Sequence, residues 1–351
     1  MSLEELKNKV EVANDLETPE SIRTPGRTWT TYPELEARSG EIDPEIETEG
    51  EVEVKTGEEA EQLLFEMFDP LEDKMSALHA SNINSLILVE AAGQADVTIT
   101  YSDEKDTFAH LIVKTKNGAE LTLTEEFRNT GLITSFNEFH VGENSKLTYG
   151  SLEAGDTEFN YARRKAVLDD YAKMNWLNAQ FRGEFRRTKI ETYLRGDSSE
   201  VDKLATWYPT GEQHNDISMR VFHEGENTRC EMDSRAVVDD KARSVYEGLQ
   251  KVEEVAEETS SFQHEDVLTL SDKAEVDASP KLMIENPDVE ASHAASTGSI
   301  DDNKNHYIET RGLTQEQARK LIVKGWFEPV LQEIELPGLK EKIREEIRRK
   351  L

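Results

Sequence analysis

The sequence holds a single cysteine, Cys230, in 351 residues, so an intrachain disulfide framework is excluded. It holds no apolar run approaching the roughly 20 residues that a membrane helix needs. Its opening stretch, MSLEELKNKVEVAND, is charged throughout and lacks the apolar core of a secretory signal. These absences predict a soluble, cytoplasmic protein. Positive charge is also scarce: 41 basic residues against 73 acidic ones leave a net charge of −32. Nucleic acid and anionic membranes both need a basic surface, so neither is expected as a partner. The balance fits a solvated acidic shell, or a surface that attracts cations or a basic partner. Catalytic signatures are missing too. There is no nucleophile elbow, phosphate-cradling glycine loop, CxxC or HExxH.

What is present is patterned. Apolar residues make up 36% of the chain and charged residues 32%, a polar composition whose apolar positions nevertheless recur on faces. Near the start, Ser2 and Glu5 fit a capping box, with Leu3, Leu6, Val10 and Ala13 on one helical face. A loop-rich, extended arm follows to about residue 55. Thr56 with Glu59 predicts a helix carrying Leu63, Leu64, Met67 and Phe68. Asp69-Pro70-Leu71-Glu72 reads as a second helix start, continued by Met75 and Leu78.

From Ser85 short β-like segments such as SLILVEA, DVTITY, HLIVKT and ELTLTEEF recur roughly every 10–14 residues, to about Val289. A sandwich would want hairpin turns; a β-helix would want stacked coils with side-chain ladders. No tight repeat decides between them, and the length of the β region favours the β-helix. Helix returns at Thr314, which forms a capping box with Gln317 and leads Ala318, Leu321, Ile322 and Gly325 on one face. Pro337-Gly338 breaks the chain, and a last helix places Ile343, Ile347 and Leu351 at i+4 spacing. That stripe either packs on the domain or docks a partner. The chain thus divides into an N-terminal helical and extended region (1–84), a β core (85–300) and a C-terminal helical region (301–351).

Candidate chemistry is thin. His214, Asp216 and His223 offer two imidazoles and a carboxylate, but their spacing matches no strong zinc pattern. Cys230 lies in a probable strand, where a lone thiol is ordinarily a small buried hydrophobe. A glycosidase on a β-helix would need two carboxylates facing one cleft. Pairs such as Asp239-Asp240 and Asp301-Asp302 are too common here to single one out.

One stretch is more specific. SHAASTGSIDDNKNHYIETRGLTQEQARKLIVKGWF, from Ser292 to Phe327, resembles the C-terminal signature of the SufB/SufD family. That signature is a Ser-His turn, an acidic link, an aromatic-Tyr strand, an Arg-Gly pair and an Ala-rich helix. The segment from Leu268 to His293 is similar to the family's leucine-serine strand and final strand. The segment from Gly211 to Gly248 is similar to its Gln-x-x-Asp and His pattern, and Gln263 is kept. The clear resemblance covers about 210–327.

The resemblance implies a mainly β fold, a right-handed parallel β-helix flanked by N- and C-terminal helical segments. It implies a non-catalytic scaffold for iron–sulfur cluster assembly that pairs through its last β-helix turns. The partner would be a SufB paralogue or a second copy, with a SufC-like ABC ATPase bound through the C-terminal helices. Arg311, Gly312, Leu321, Ile322, Trp326 and Phe327 would serve that docking. His293 matches the SufD-like interface histidine and is the candidate iron or cluster ligand, with Cys230 a further candidate. Ala274 stands where SufB-like chains carry a cysteine, and Ala294 where they carry an acid. A transient cluster shared with the partner subunit is therefore expected, not a permanent cofactor. The other readings are a homodimeric scaffold without a separate SufB, and a β-helix carbohydrate-active enzyme.

Overall fold

The computed structural model describes residues 16–19, 23–24, 27–28, 30, 32, 40–299 and 313–351, apart from the side chains of Arg23, Thr24, Arg27, Thr28 and Gln62. The expected helix over Leu3–Ala13, the Arg311-Gly312 pair and His306 lie outside the described residues. The architecture is a parallel β-solenoid. After a two-residue pairing of β1 (Arg23–Thr24) with β2 (Arg27–Thr28) come β3 (Glu45–Thr56), a 3-10 turn over Gly57–Leu63 and helix α1 (Lys74–Asn82). The coils are built from β4 (Ser85–Tyr101), β5 (Thr107–Thr115), β6 (Glu120–Phe127), β7 (Ile133–Val141) and β8 (Lys146–Glu153). They continue through β9 (Phe159–Leu168), β10 (Lys173–Gln180), β11 (Phe185–Leu194), β12 (Glu200–Trp207) and β13 (His214–His223). The last are β14 (Arg229–Val238), β15 (Arg243–Val252), β16 (Thr259–Thr269), β17 (Glu275–Ile284) and β18 (Val289–Ser299). Helices α2 (Gln315–Glu333) and α3 (Pro337–Arg349) close the chain.

Odd-numbered strands from β5 to β17 stack into one parallel ladder and even-numbered strands from β6 to β18 into another. The long β4 bends round the first coil, pairing with β5 through Ser85–Ala91 and with β6 through Gln94–Tyr101. SLILVEA and DVTITY are therefore one strand. Residues one coil apart are separated by 27 positions at Lys173 and Glu200, 29 at Asp197 and Glu226, and 31 at Thr228 and Thr259. This drift hides the repeat from the sequence. What repeats is a backbone corner: Gly118, Asn144, Tyr171, Ser198, Asn227 and Glu258 all take positive φ. The amide of each of the first five donates to the carbonyl of a residue one coil on, as from Tyr171 to Asp197 at 2.9 Å. The small residue that follows each corner, Ala119, Ser145, Ala172, Ser199, Thr228 or Thr259, turns into the core.

Inside, apolar ladders such as Leu121, Leu147, Met174, Val201 and Cys230 run along the axis. Outside, both faces are covered. The segment 57–82 packs Phe68 and Met75 on Phe136, Phe159 and Tyr161 of the odd face. Here buried His79 bonds Thr134 at 2.8 Å and meets His110, which contacts Glu138 at 2.8 Å. The expected helix at 56–68 is only the 3-10 turn, because Thr56 makes no side-chain cap. Helix α1 starts later than expected, at Lys74, because Asp73 rather than Asp69 caps it by accepting from the Ser76 amide. The arm before it contains β3, which the extended reading missed. β3 runs antiparallel to β4 and covers the first coil's free edge with acidic side chains.

Helices α2 and α3 lie on the even face. Val323, Phe327, Leu331, Leu339, Ile343 and Ile347 pack on Leu152, Leu177, Phe181 and Tyr208. Thr314 and Gln317 form the expected capping box. The last apolar stripe is thus spent within the chain, and Arg182 holds buried Glu346 at 2.8 Å.

Candidate functional site

The two ends of the solenoid differ. Among the described residues, β3 pairs along the first coil, while β17 and β18 are each hydrogen-bonded on one side only. Unpaired strand edges are templates for association unless charge, proline or a covering element blocks them. The β3 sequence, EIETEGEVEVKT, is such a block. The β18 sequence, VEASHAASTGS, is small, nearly uncharged and exposed from Ser292 to Thr297. On β17, Met283 and Ile284 are about half exposed, at 50% and 44%. The Ser-His segment, expected as a turn, is a strand in register with β16, Gln263 beside His293.

Register decides what faces the mouth of this coil. Leu123, Tyr149, Trp176, Lys203, Met232, Gln263 and His293 form one inward column. His293 is its last, solvent-exposed member. Directly below, Gln263 is buried and neither of its amide atoms has a hydrogen-bond partner. Glu265, two residues along β16, is fully buried and both its oxygens are unpartnered. Burial pushes its carboxyl up to about 9, with Asp277 and Asp266 adding to the effect. Gly248 stands opposite, where a Cβ would collide with the Gln263 amide.

Cys230 lies two coils deeper, on the column that continues through Ser261 to Ala291. Its sulfur accepts from Gln250 Nε2 at 3.3 Å, and burial pushes the thiol up to about 12. A thiol in that state is a packed core group, not a nucleophile. Lys203, on the neighbouring coil, is fully buried, and desolvation lowers its amine to about 7.

The sequence-level metal set is not assembled. His214 Nε2 contacts Asp216 Oδ1 at 2.7 Å on the outer face of β13. His223 has the opposite strand parity and points into the core, bonded to Thr228 and Ser261. Among the described residues no three His, Cys, Asp or Glu side chains are grouped to hold a metal ion. No described helix is long and apolar enough to cross a membrane. In the C-terminal region Phe327 is fully buried against Phe181 and Tyr208, while Ile322 and Trp326 are partly buried at the same seam. Leu321 alone of that set projects outward, 55% exposed. The groove where α2 meets α3, about 260 Å³, is lined by Asp202, Glu231, Asp233, Glu333 and Glu335.

Sequence reasoning missed Glu265 and Lys203. Neither has a motif, and only the strand register shows that they face inward.

The core of this architecture matches the family model described as SUF system FeS cluster assembly, SufBD core domain, over residues 97–326. The iron–sulfur cluster assembly protein SufD of Bacillus subtilis (strain 168) is 29% identical over 296 residues, covering 80% of this chain and 67% of its own length. An iron–sulfur cluster assembly SufBD family protein of Mycobacterium tuberculosis is 24% identical over 288 residues, covering 77% of this chain and 72% of that one. A chloroplastic SufBD family protein of Arabidopsis thaliana is 23% identical over 206 residues, covering 56% of this chain and 37% of that one.

Proposed function

The chain belongs to the SufBD family of iron–sulfur cluster assembly proteins, and on that premise we propose that it is a non-catalytic, SufD-like scaffold subunit. It pairs through β17 and β18 with a SufB paralogue. The observation that carries this reading is the asymmetry of the solenoid: among the described residues the first edge is paired with acid-bearing β3, while β17 and β18 are each paired on one side only and β18 has Glu290 as its one acidic residue. A partner coil added there would satisfy the free backbone groups of both edge strands and bring a second set of side chains to His293. The nascent cluster is cargo at that junction. Iron–sulfur clusters are held mostly by thiolates, and this end presents an imidazole without a cysteine, so the partner supplies sulfur ligands. Ala274 and Ala294 fit that division of labour.

A SufC-like ABC ATPase docks on the C-terminal helices. Leu321 is the contact, Arg311 and Gly312 earlier in the sequence contribute to the docking, and Ile322, Trp326 and Phe327 hold the helix on the solenoid. Closure of the ATPase shifts the junction only if the nucleotide-bound motor binds one arrangement more tightly than another.

The test is co-expression with a SufC-type ATPase and a SufB-type chain. A complex should survive size exclusion, and Leu321→Glu should release the ATPase. Absence of any complex, or ATPase binding indifferent to Leu321→Glu, would defeat the proposal.

A further inference from the structure

We propose that Glu265, with Gln263 beside it, is the receptor for a lysine or arginine side chain presented by the facing subunit, and that it favours a partner unlike this chain. The inference rests on the end-to-end pairing proposed above and adds the chemistry by which the partner is chosen.

Glu265 and Gln263 stand two residues apart on the inward face of β16, both buried, and none of their four side-chain polar atoms has a partner. Deeper carboxylates in the same interior are matched. Glu153 receives Arg164 and Arg186, and Glu125 receives Tyr149 and Asn137. Below Glu265 its register partner on β14 is Ser234, whose hydroxyl is turned to Tyr246. Above it on β18 the register partner is Ala295, small and exposed. The carboxyl therefore lies one strand spacing, about 4.8 Å, beneath the open end, with only a methyl group overhead. A buried acid without a donor points to a donor that arrives from outside. Two carboxyl oxygens and one amide oxygen form an acceptor set, and lysine and arginine are the side chains that bring only donors.

This chain cannot supply that donor to a second copy of itself from its own last coil. The inward members of β17 are Val276, Ala278, Pro280 and Leu282, and those of β18 include neither lysine nor arginine. Lys281 of β17 has the opposite parity and is held by Glu247 at 2.7 Å. Self-pairing would bring two such acids to one junction without a cation between them, whereas a paralogue with a basic side chain at its mouth satisfies Glu265. Specificity of this kind comes from the unmatched group in the wrong pair as much as from the contact in the right one.

Occupation also moves a proton. Asp266 on β16 and Asp277 on β17 add to the burial that keeps the free carboxyl protonated at neutral pH. The other titratable groups on the inward face nearby are Tyr246 on β15 and His293 on β18. An arriving cation favours the carboxylate, so pairing releases the carboxyl proton to solvent.

The experiment titrates a purified SufB-type chain into the full chain at pH 7.5 by calorimetry, in phosphate and in Tris, whose ionisation enthalpies differ. The wild type should pair and release about one proton. Glu265→Gln should pair at least about tenfold more weakly and lose the proton release, while melting no lower than the wild type when alone. Sedimentation of the wild type alone should show self-association at least about tenfold weaker than the mixed pair. Should Glu265→Gln fail to fold, the wild-type proton release decides: pairing with no proton exchanged overturns the receptor. A Glu265→Gln variant that pairs as tightly as the wild type, or self-association as strong as the mixed pair, overturns it too and leaves the scaffold reading standing. A wild type that forms no mixed pair defeats both.

Discussion

The Lys203 ammonium nitrogen stands 5.5 Å from the centre of the Trp176 ring, and the two residues are register partners on adjacent coils, both buried. Among the described residues the amine's one hydrogen bond is a long one, 3.3 Å to the Arg220 carbonyl. Desolvation lowers the proton affinity of a buried amine with so few partners.

Lys203 therefore makes stability depend on pH. Its folded-state value is lowered from 10.5 to about 7. Below about pH 7 both folded and unfolded chains bind the proton and the penalty is full. Between there and 10.5 only the unfolded chain binds it, so stability rises with pH across that window. Lys203→Met should stabilise the protein by about 1–4 kcal/mol at pH 6 and flatten the rise. Urea titrations at pH 6, 8 and 10 check both outcomes.

Gly150 lies under the joint between α2 and α3, where an added Cβ would strike the side chains of Leu336 and Leu339. Gly150→Ala should cost about 1–3 kcal/mol by overpacking and lift the C-terminal helices. Faster proteolysis beyond residue 313, with the solenoid intact, is the expected signature.

Leu321 and Phe327 should separate docking from folding. Phe327→Ala empties a fully buried site and should cost about 3–5 kcal/mol in denaturant unfolding. Leu321→Glu alters an exposed position and should stay within about 0.5 kcal/mol, while abolishing co-purification with the ATPase. Retained co-purification would remove Leu321 from the interface.

Tyr171 occupies its corner at φ +57° and is exposed. A bulky side chain in left-handed backbone is strained by about 1–2 kcal/mol, partly offset by the extra unfolded-state freedom of glycine. Tyr171→Gly should raise stability by up to about 1 kcal/mol, seen as a higher urea midpoint.

Cys230→Ser should leave anaerobic cluster reconstitution of the complex unchanged, because its sulfur is sealed two coils below the mouth. His293→Ala should reduce it. Loss of the cluster absorbance in Cys230→Ser would return the thiol to the ligand set.

Much of this was legible in the chain itself. Thr314 and Gln317 announce a helix because their capping box is local, whereas Pro337-Gly338, read as a break, is the first turn of α3, where a proline needs no amide donor. The strands from Ser85 onward are marked by β-branched and aromatic runs. Simple alternation is blurred because segments such as β5 and β7 are buried on both faces. Asp69 shows the limit of local signals: its pattern resembles a helix start, yet α1 begins where Asp73 meets the Ser76 amide.

The sequence by itself determined a β-rich, disulfide-free, acidic chain with a helical tail, since composition, capping and side-chain type act over a few neighbouring residues. Only the tertiary structure decided which residues meet. A coil of drifting length turns His223 inward to Thr228 and Ser261, sets His293 over Gln263, and leaves Glu265 without a donor. A shift of one residue reverses the face of every side chain in a strand, so inward and outward are properties of the stack and not of any segment alone.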